Sequence, residues 1–388
     1  MFICRYFSRF KKPEINQNKI TEVLTDIYFN YEKYLAGDDI LYLPEINTYA
    51  ALKYEVVTEL LRGNNIAGVS RVHLALNNIY FSPDEEIHQK NKSSALRILP
   101  FLSRREQFET KPYFLKLLQI FYDNLHAEHQ ADFLKFLVTP ALFINTLHDF
   151  ELLYLFPELD VVNSNQKVPA AIETIDRYFD DGDILLSDIT AKVSPCDKLN
   201  GITQTLLDEI GSHHSINRHD IPKFLRSMIF AASESTIGFS ATLAYVYFKQ
   251  YPELPENSEE FTQLCHEVSR IHTPVPFIYR NVTKNTLYRG KRLHAGDLLA
   301  LFIGAANLDP AAFPEPHKIQ FQRTNKHVAF GMGGYACIGR FNAFGKAYNL
   351  VCFLKQRRRE WSFANDVLTH RIKNSMLKPQ LQFVRHGT

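Results

Sequence analysis

The sequence predicts a mainly α-helical protein with small β-sheets, the α+β class. Up to about residue 265, apolar side chains recur at i, i+3, i+4 and i+7, the spacing of one helix face. Between residues 274 and 330, five prolines and short runs such as PFIYRNVT and LLALFIG replace that spacing and favour strands. The helical spacing then returns in RFNAFGKAYNLVCFLKQRRR.

Three amphipathic segments support the helical prediction in the first part of the chain: EEIHQKNKSSALRILPFLS, KPYFLKLLQIFYDNLHAEHQADFLKFLV and AAIETIDRYFD. The 388 residues are 45% apolar and 22% charged, a balance that supports a globular core and argues against disorder. No composition shift marks a linker. We therefore expect one domain over residues 1–388.

Charge and cysteine usage exclude several classes of protein. Lys plus Arg number 44 and Asp plus Glu 42, and the resulting charge of +2 is too close to balance for wholesale nucleic-acid binding. The five cysteines form no C-x-x-C pair, which disfavours zinc and dithiol sites and indicates a reducing compartment. MFICRYFSRFKKPEINQNK is too poor in apolar residues for a signal peptide, and no segment reaches membrane-spanning length. We expect a soluble cytoplasmic protein.

The segment DIPKFLRSMIFAASESTIGFSATLAYVYFKQYP predicts one long buried helix. Asp220 is a candidate cap, Pro222 falls in the first turn, and Pro252 lies beyond the end. About 30 residues give a helix of about 45 Å, and its apolar character on nearly all sides indicates burial. Around Glu234, hydroxyl side chains that bond back to the preceding turn are expected to open the helix locally.

Two chemistries compete for residues 330–340, FGMGGYACIGR. Gly331-x-Gly333-x-x-Ala336 matches a dinucleotide-binding fingerprint, but KQRRRE stands where the required downstream acid should be, and no βαβ unit surrounds the motif. The better interpretation makes Cys337 a thiolate ligand to an iron centre, because glycines permit unusual dihedrals and let a flat cofactor lie against the loop. The helix that follows favours thiolate over thiol through its positive end.

Phe330-Gly331-x-Gly333-x-x-x-Cys337-x-Gly339 resembles the haem-binding loop of the cytochrome P450 family, the haem-thiolate monooxygenases. Further motifs follow the family's order: CHEVSR resembles its E-x-x-R helix, ANLDPAAFPEPHKIQFQR its meander, and AASEST the acid–alcohol segment of its long helix. The resemblance covers residues 80–388, the expected haem-binding body. Residues 1–80 are expected to be a helical and sheet region and match the family in length and helical character only. It implies a single large domain with the long helix over the haem.

The resemblance also assigns roles to individual residues. Glu267 and Arg270, completed by Arg323, would form a structural network and not a catalytic group. Cys337 would be the metal ligand of the haem, and Lys92 stands where an arginine is usual for a propionate. The expected cofactor-binding residues are Phe330, Gly331, Gly333, Tyr335, Cys337, Gly339, Arg280, His88, Lys92 and Ala231.

By the same resemblance, Glu234 and Ser235 are the catalytic acid and alcohol, with serine where threonine is usual. A carboxylate and a hydroxyl can deliver protons into a dry pocket without flooding it. The segment VHLALNNIYF would form a lid, and the pocket suggests an apolar or aromatic substrate of modest size. The expected pocket residues are Phe230, Ala231, Val275, Pro276 and Phe277.

The resemblance implies an enzyme with haem b as cofactor and O₂ as co-substrate. Hydroxylation of a small apolar or aromatic compound, in secondary metabolism, is the first hypothesis. Oxidative coupling of phenols or aryl rings without oxygen insertion is the alternative, and a haem sensor without turnover is the third.

An external ferredoxin or flavodoxin is expected to supply electrons. The run KQRRR at residues 355–359, with Arg340 and Lys346, would form a positive patch that attracts it. We expect a monomer.

Overall fold

The computed structural model describes residues 17–62, 66–69, 85–163, 167–194, 199–213, 216–373 and 375–387. Contacts divide the chain into two compact units, each assembled from separate stretches of sequence. The sheet unit comprises the described residues of Met1–Gln89, His266–Cys337 and Ile372–Leu377, and the helical unit those of Lys90–Cys265, Ile338–Arg371 and Lys378–Thr388. The single domain expected from the sequence stays a prediction.

Helices dominate the described chain, as the sequence predicts. None of the helices in the described ranges is both long and apolar enough to cross a bilayer. The α-helices are α1 Gln17–Phe29, α2 Tyr31–Leu35, α3 Tyr54–Leu61, α4 Glu85–Ile98, α5 Pro112–Asp123, α6 Thr139–Asp149, α7 Val168–Asp180, α8 Gly182–Lys192, α9 Gly201–Ser212, α10 Ile221–Gln250, α11 Glu259–Ile271, α12 Ile303–Asn307 and α13 Arg340–Gln356.

The strands are short and form small sheets. They are β1 Leu41–Leu43, β2 Thr48–Ala51, β3 Ala67–Val69, β4 Gln130–Asp132, β5 Ile278–Val282, β6 Thr286–Tyr288, β7 Lys291–Leu293, β8 Leu298–Leu301, β9 Trp361–Phe363, β10 Thr369–Lys373, β11 Met376–Gln380 and β12 Gln382–Arg385. The strands predicted within PFIYRNVT and LLALFIG are β5 and β8.

A five-stranded sheet organises the sheet unit, in the order β1-β2-β8-β5-β3. Strands β2 and β8 run parallel, whereas β5 runs antiparallel to β8 with Arg280 opposite Leu299. Successive residues of a strand point to opposite faces, so Leu298 and Ala300 join one hydrophobic cluster while Leu299 and Leu301 join another. Both faces of β8 are covered, which explains why all four of its residues are apolar.

The long helix α10 forms the centre of the helical unit. It begins at Ile221 and ends at Gln250, two residues before Pro252, as the proline positions predict, but the Asp220 side chain forms no capping hydrogen bond at its start. It packs against α6, α8 and α13. Every residue from Thr236 to Phe248 is buried, so the apolar character of this helix on all sides reflects its neighbours within the unit.

Two regions in the mainly helical part of the sequence contain strands. Strands β1 to β3 lie within residues 41–69, and β4 interrupts the segment 111–138. Strands β1 to β3 belong to the five-stranded sheet that also contains β5 and β8. Strand β4 pairs with β12, and Asp132 lies opposite Gln382. The helical prediction is therefore wrong at β4, whose partner β12 is distant in sequence and overrides the local helical spacing. For residues 1–80, where helix and sheet are both expected, β1 to β3 are the sheet part.

Candidate functional site

The cysteine of the glycine-rich loop is exposed at the end of a tight turn. The Cys337 N–H donates to the carbonyl oxygen of Phe330 at 2.7 Å, which closes the loop. Within it, the Gly331 N–H donates to the carbonyl oxygen of Val328 at 2.9 Å, and Gly333–Tyr335 forms one 3₁₀ turn. Cys337 itself is exposed, so a metal can approach it.

Two glycines give this loop its shape. Gly331 and Gly333 have φ angles of +68° and +65°, in the left-handed region. An L-residue there costs about 1–2 kcal/mol. A Cβ on Gly333 would lie 3.6 Å from the Leu61 carbonyl oxygen, an ordinary contact, so the dihedral and not crowding selects glycine. Gly339 differs, since its φ is −81° and it precedes the first turn of α13.

His88 lies buried near the start of α4 and contacts the same loop. Its ring stacks on Tyr335 with centroids 4.2 Å apart and 23° between planes. Its Nε2 lies 3.1 Å from the carbonyl oxygen of Gly334, and because a carbonyl only accepts, Nε2 carries the proton. His88 therefore holds the loop's shape. Lys92 lies later in α4 and is partly exposed.

Arg280 is a buried cation on β5, an inner strand of the five-stranded sheet, with 6% of its surface exposed. Its Nη1 donates to the carbonyl oxygen of Tyr279 at 2.9 Å, and no carboxylate of the described residues forms an ion pair with it. Burial lowers the pKa of this guanidinium to about 10, although Tyr335 opposes the shift. A buried charge of this kind is stabilised by an anion, such as the propionate of a haem.

The structure brings together the three residues of the predicted network. Arg270 binds Glu267 with two parallel hydrogen bonds, Nε to Oε1 at 2.7 Å and Nη2 to Oε2 at 2.8 Å. Arg323 Nε donates to Glu267 Oε2 at 2.9 Å. Burial alone would raise the pKa of Glu267, but the hydrogen bonds from Arg270, the Gln320 backbone and Arg323 hold it below its ordinary value.

Arg270 also ties α11 to the segment that follows α12. Its guanidinium is fully buried and donates to three carbonyl oxygens in addition to Glu267. The acceptors are Asn307 at 3.0 Å, Pro316 at 2.7 Å and Lys318 at 3.1 Å. A single side chain thus fixes the chain path that leads into the cysteine loop.

His327, a residue of KHVAFG before the loop, is packed and hydrogen-bonded. Its Nδ1 accepts the N–H of Ala329 at 3.2 Å, and its Nε2 lies 2.9 Å from Nδ1 of His266. Both rings pack against Phe330. His327 therefore supports the cysteine loop through its packing against Phe330.

The acid and the alcohol predicted on α10 differ in exposure. Glu234 is buried at 2% exposure, Ser235 is partly exposed, and Ala231 is exposed. Ala231 is small as well as exposed, so a flat group could lie against the helix at this position.

The expected local opening of α10 is wrong. Ser233 Oγ donates to the carbonyl oxygen of Ile229 at 2.6 Å, and Ser235 Oγ donates to that of Ala231 at 3.3 Å. The helix nevertheless continues unbroken from Ile221 to Gln250. Hydroxyls can share an acceptor with the helical N–H, so back-bonding does not by itself interrupt the helix.

Sequence reasoning missed the partner of Glu234. The ammonium of Lys378, on β11, forms an ion pair with Glu234 Oε2 and donates to the Glu234 carbonyl oxygen at 2.9 Å. Lys378 is 7% exposed. A signal existed, since this lysine stands among apolar residues in SMLKPQLQF, and a buried carboxylate requires a partner.

The predicted pocket residues fall into two groups. Phe230 and Val275 are partly exposed, whereas Pro276 is buried and Phe277, 5% exposed, packs against Phe302 with ring centroids 5.6 Å apart. Phe277 thus belongs to the core of the sheet unit. The predicted lid VHLALNNIYF lies outside the described residues.

The predicted positive patch is wrong at Lys346. This lysine is fully buried in the helical unit, lies 3.1 Å from the Asp149 carboxylate, and donates to Thr146 Oγ1 at 2.9 Å. A buried and ion-paired lysine cannot attract a partner. In the run KQRRR, Arg358 and Arg359 are exposed.

The family model and two curated relatives that match this chain are cytochromes P450. The cytochrome P450 family model matches residues 261–344. Cytochrome P450 140 of Mycobacterium bovis is 34% identical over 93 residues, 24% of this chain and 20% of that protein. The polyketide biosynthesis cytochrome P450 PksS of Bacillus subtilis is 29% identical over 137 residues, 34% of this chain and 33% of that protein. The chain thus spans a fifth to a third of the length of these curated relatives.

Solved structures extend the likeness over nearly the whole chain. CYP109E1 from Bacillus megaterium, in complex with testosterone, matches with a TM-score of 0.71 at 17% identity, over 95% of this chain and 100% of that chain. CYP109B1 from Bacillus subtilis matches with a TM-score of 0.67 at 15% identity, over 93% and 99%. Identities this low show the fold alone, and the predicted α+β fold class is confirmed.

Proposed function

Because this chain belongs to the cytochrome P450 family, we propose that it is a haem-thiolate monooxygenase that hydroxylates a small apolar or aromatic substrate. The observation that carries the proposal is Cys337, an exposed thiol on a loop shaped by left-handed Gly331 and Gly333. Haem b held by a cysteine thiolate activates O₂ for insertion of one oxygen atom into a C–H bond.

The residues of the sheet unit fit such a cofactor. Cys337 would ligate the iron, and Arg280 would pair with a propionate, because its buried guanidinium has no carboxylate partner among the described residues. His88 would keep the loop in place through its contacts with Gly334 and Tyr335. Phe330, through its carbonyl oxygen, closes the loop around the thiol.

The helical unit supplies the residues that would handle protons. The buried Glu234 carboxylate would accept a proton and pass it on, and the Ser235 hydroxyl would relay it. The Ser235 Oγ bond to Ala231 is long at 3.3 Å, so the hydroxyl can turn to another acceptor at little cost. Serine lacks the methyl group that restricts threonine at χ1, which makes this turn easier.

The proposal is tested by carbon monoxide binding to the reduced wild-type protein. A thiolate-ligated haem gives a red-shifted Soret band in its ferrous–carbonyl complex. An unshifted band would contradict the haem-thiolate assignment.

Removing the Ser235 hydroxyl is expected to uncouple electron use from product formation. Ser235→Ala should release peroxide, and Glu234→Gln should slow the proton-dependent step, by about tenfold or more in each case because general acid–base groups contribute at least this much. The measurement is product and peroxide formed per electron consumed. Ser233→Ala is the matched control, because that buried hydroxyl bonds to Ile229 within the helix. Unchanged coupling in both test variants would mean that protons take another route.

Hydroxylation and oxidative coupling differ in the fate of oxygen. Label from ¹⁸O₂ enters the product of a hydroxylation but not that of an aryl coupling. The buried acid and its alcohol neighbour favour hydroxylation, because oxygen insertion requires proton delivery. A haem sensor without turnover would not need Glu234 and Ser235 to deliver protons.

The substrate class rests on the side chains proposed for the pocket. Phe230, Ala231 and Val275 are at least partly exposed and apolar. A relative named for polyketide biosynthesis supports an apolar substrate of secondary metabolism. Titration of a panel of such compounds, followed by the spin-state change of the haem, would identify the preferred skeleton.

Electrons would come from an acidic ferredoxin or flavodoxin in the cytoplasm. The buried Lys346 cannot take part in docking such a donor. The run KQRRR still offers two exposed cations, Arg358 and Arg359.

Added salt is expected to slow reduction by such a donor. Replacing Arg358 and Arg359 with glutamine should lower the association rate about tenfold at low salt and leave substrate affinity unchanged, because exposed charges act mainly on the encounter rate. Stopped-flow reduction at several salt concentrations measures both effects. Lys167→Gln, at another exposed position of the helical unit, is the control. If the reduction rate of the wild type did not depend on salt, the run KQRRR would have no role in docking the electron donor.

A further inference from the structure

Arg226 is a buried cation on the long helix α10, with 6% of its surface exposed. Its Nη1 atom is buried and has no hydrogen-bond acceptor among the described residues. Asp183, on α8, attracts the guanidinium, but burial dominates and lowers the pKa of Arg226 to about 10. Because a guanidinium carries five N–H donors, Arg226 can interact with Asp183 and still bind a second anion through Nη1.

Arg226 lies close to the aromatic side chains proposed for the substrate pocket. Phe230 follows it by four positions on α10, and residues at i and i+4 are neighbours on one helix face. Phe230 is partly exposed, and its ring packs against that of Phe179 with centroids 5.5 Å apart. Phe179 itself stands four positions before Asp183, the acid that attracts Arg226. The cation therefore lies about one helical turn from this aromatic pair.

The residues proposed to handle protons lie at the other end of the same helix segment. Glu234 follows Arg226 by eight positions, a separation of about 12 Å along the helix axis at about 1.5 Å per residue. Phe230 lies midway between them. An elongated substrate with an anionic end at Arg226 would pass the aromatic pair and place its other end near Glu234 and Ser235.

Asp183 alone explains this arginine poorly. It lies in the first turn of α8, where the helix dipole favours a carboxylate whether or not a cation is near. A buried ion pair usually stabilises a protein no better than well-packed apolar residues do. A wholly apolar substrate would gain nothing from a buried cation, whereas a substrate carboxylate would supply the acceptor that Nη1 lacks.

We propose that Arg226 is a specificity-determining residue that binds a carboxylate of the substrate, so that the substrate is an apolar or aromatic carboxylic acid. The inference rests on the proposed function for what happens to the bound acid. Binding itself does not depend on turnover and can be measured directly.

Calorimetric titration of the haem-loaded protein tests the preference for an acid. The probes are octanoate, 4-phenylbutanoate and 4-butylbenzoate, each compared with its primary amide. The wild type should bind at least one acid about tenfold or more tightly than the matching amide, because hydrogen bonds between charged groups contribute at least this much. If no acid bound more tightly than its amide, the proposal would be overturned, even if the Arg226 variants failed to fold.

Substitution of Arg226 assigns the preference to this side chain. Arg226→Gln should remove the preference for the acid and leave the affinity for the amide close to that of the wild type. Arg226→Lys keeps the charge but loses the planar fork, so it should keep part of the preference. A preference that persisted in full in Arg226→Gln would contradict the proposal.

Two control variants separate this role from simpler ones. Arg177→Gln removes an exposed arginine of α7 and should leave the preference unchanged. Asp183→Asn removes the anion that competes for Arg226, so the acid should bind as tightly as in the wild type or more tightly. A loss equal to that of Arg226→Gln would count against the proposal in either control. In Arg177→Gln it would reflect overall charge, and in Asp183→Asn it would show that Arg226 serves only its pair with Asp183.

The position of oxidation tests the orientation of the bound acid. In the acid that binds most tightly, oxygen should enter at carbon atoms remote from the carboxylate, and Arg226→Gln should spread oxidation over more positions. Oxidation next to the carboxylate in the wild type would contradict this orientation. If the wild type lacked the shifted carbonyl band, the proposed function would fail while the calorimetric preference kept its meaning.

Discussion

Cys337→Ser is expected to abolish the shifted carbonyl band and substrate oxidation. Loss of a group that only orients a metal ligand typically costs about 10–100-fold, so loss of the ligand itself should exceed about 100-fold in turnover. The serine hydroxyl has nearly the shape of the thiol, and the loop bond uses the main-chain N–H of residue 337, so the loop should persist. Carbon monoxide difference spectra, haem content and product formation measure the effect.

Cys352→Ser is the matched control for this replacement. Burial raises the pKa of the Cys352 thiol to about 11, so it is protonated at neutral pH and a poor metal ligand. Burial likewise raises the pKa of Cys265. Cys337 is the exposed member of the three described cysteines. A shifted carbonyl band that survived in Cys337→Ser would assign the ligand to another residue.

Arg270→Lys is expected to destabilise the protein by about 1–3 kcal/mol or more, the cost of leaving buried acceptors without their donors. Lysine keeps the charge but loses the planar fork, so it cannot serve both oxygens of Glu267 and three carbonyl groups at once. The unserved carbonyls, those of Asn307, Pro316 and Lys318, would remain buried without donors. Urea unfolding followed by circular dichroism measures the change.

Arg289→Lys provides the comparison in the same unit. Arg289 contacts Asp39, Glu55 and Glu59, but 30% of its side chain is exposed. Exposed ion pairs contribute about 0–1 kcal/mol, so this variant should remain close to the wild type. Equal and small effects of the two substitutions would show that the Glu267 network contributes little to stability.

Local patterns in the sequence predict those parts of the site that lie close together in the chain. The loop Phe330 to Gly339 and the pair Glu267–Arg270 are short motifs, and their geometry depends on positive φ angles and on i, i+3 spacing. The bounds of α10 follow from prolines near both ends.

Pairings between distant residues could not be predicted in this way. Lys378 contacts Glu234, which lies 144 residues earlier in the sequence. The sequence around Lys378 does not show which acid it contacts. The sequence around Lys346 predicts an exposed basic helix, but this lysine is buried by tertiary packing and pairs with Asp149. Strands β2 and β3 pair with strands more than 200 residues later in the sequence.

The parallel pairing of β2 with β8 has a consequence for synthesis of the chain. Thr48–Ala51 pairs with Leu298–Leu301, about 250 residues later. At a translation rate of about 5–20 residues per second, the partner strand emerges roughly 10–50 seconds after β2. During that interval one edge of the β1–β2 hairpin has open backbone donors and acceptors, which can pair with other nascent chains. Folding of the sheet is therefore post-translational or late co-translational, and cells that start fewer copies of this chain at a time should recover more of it in the haem-binding form.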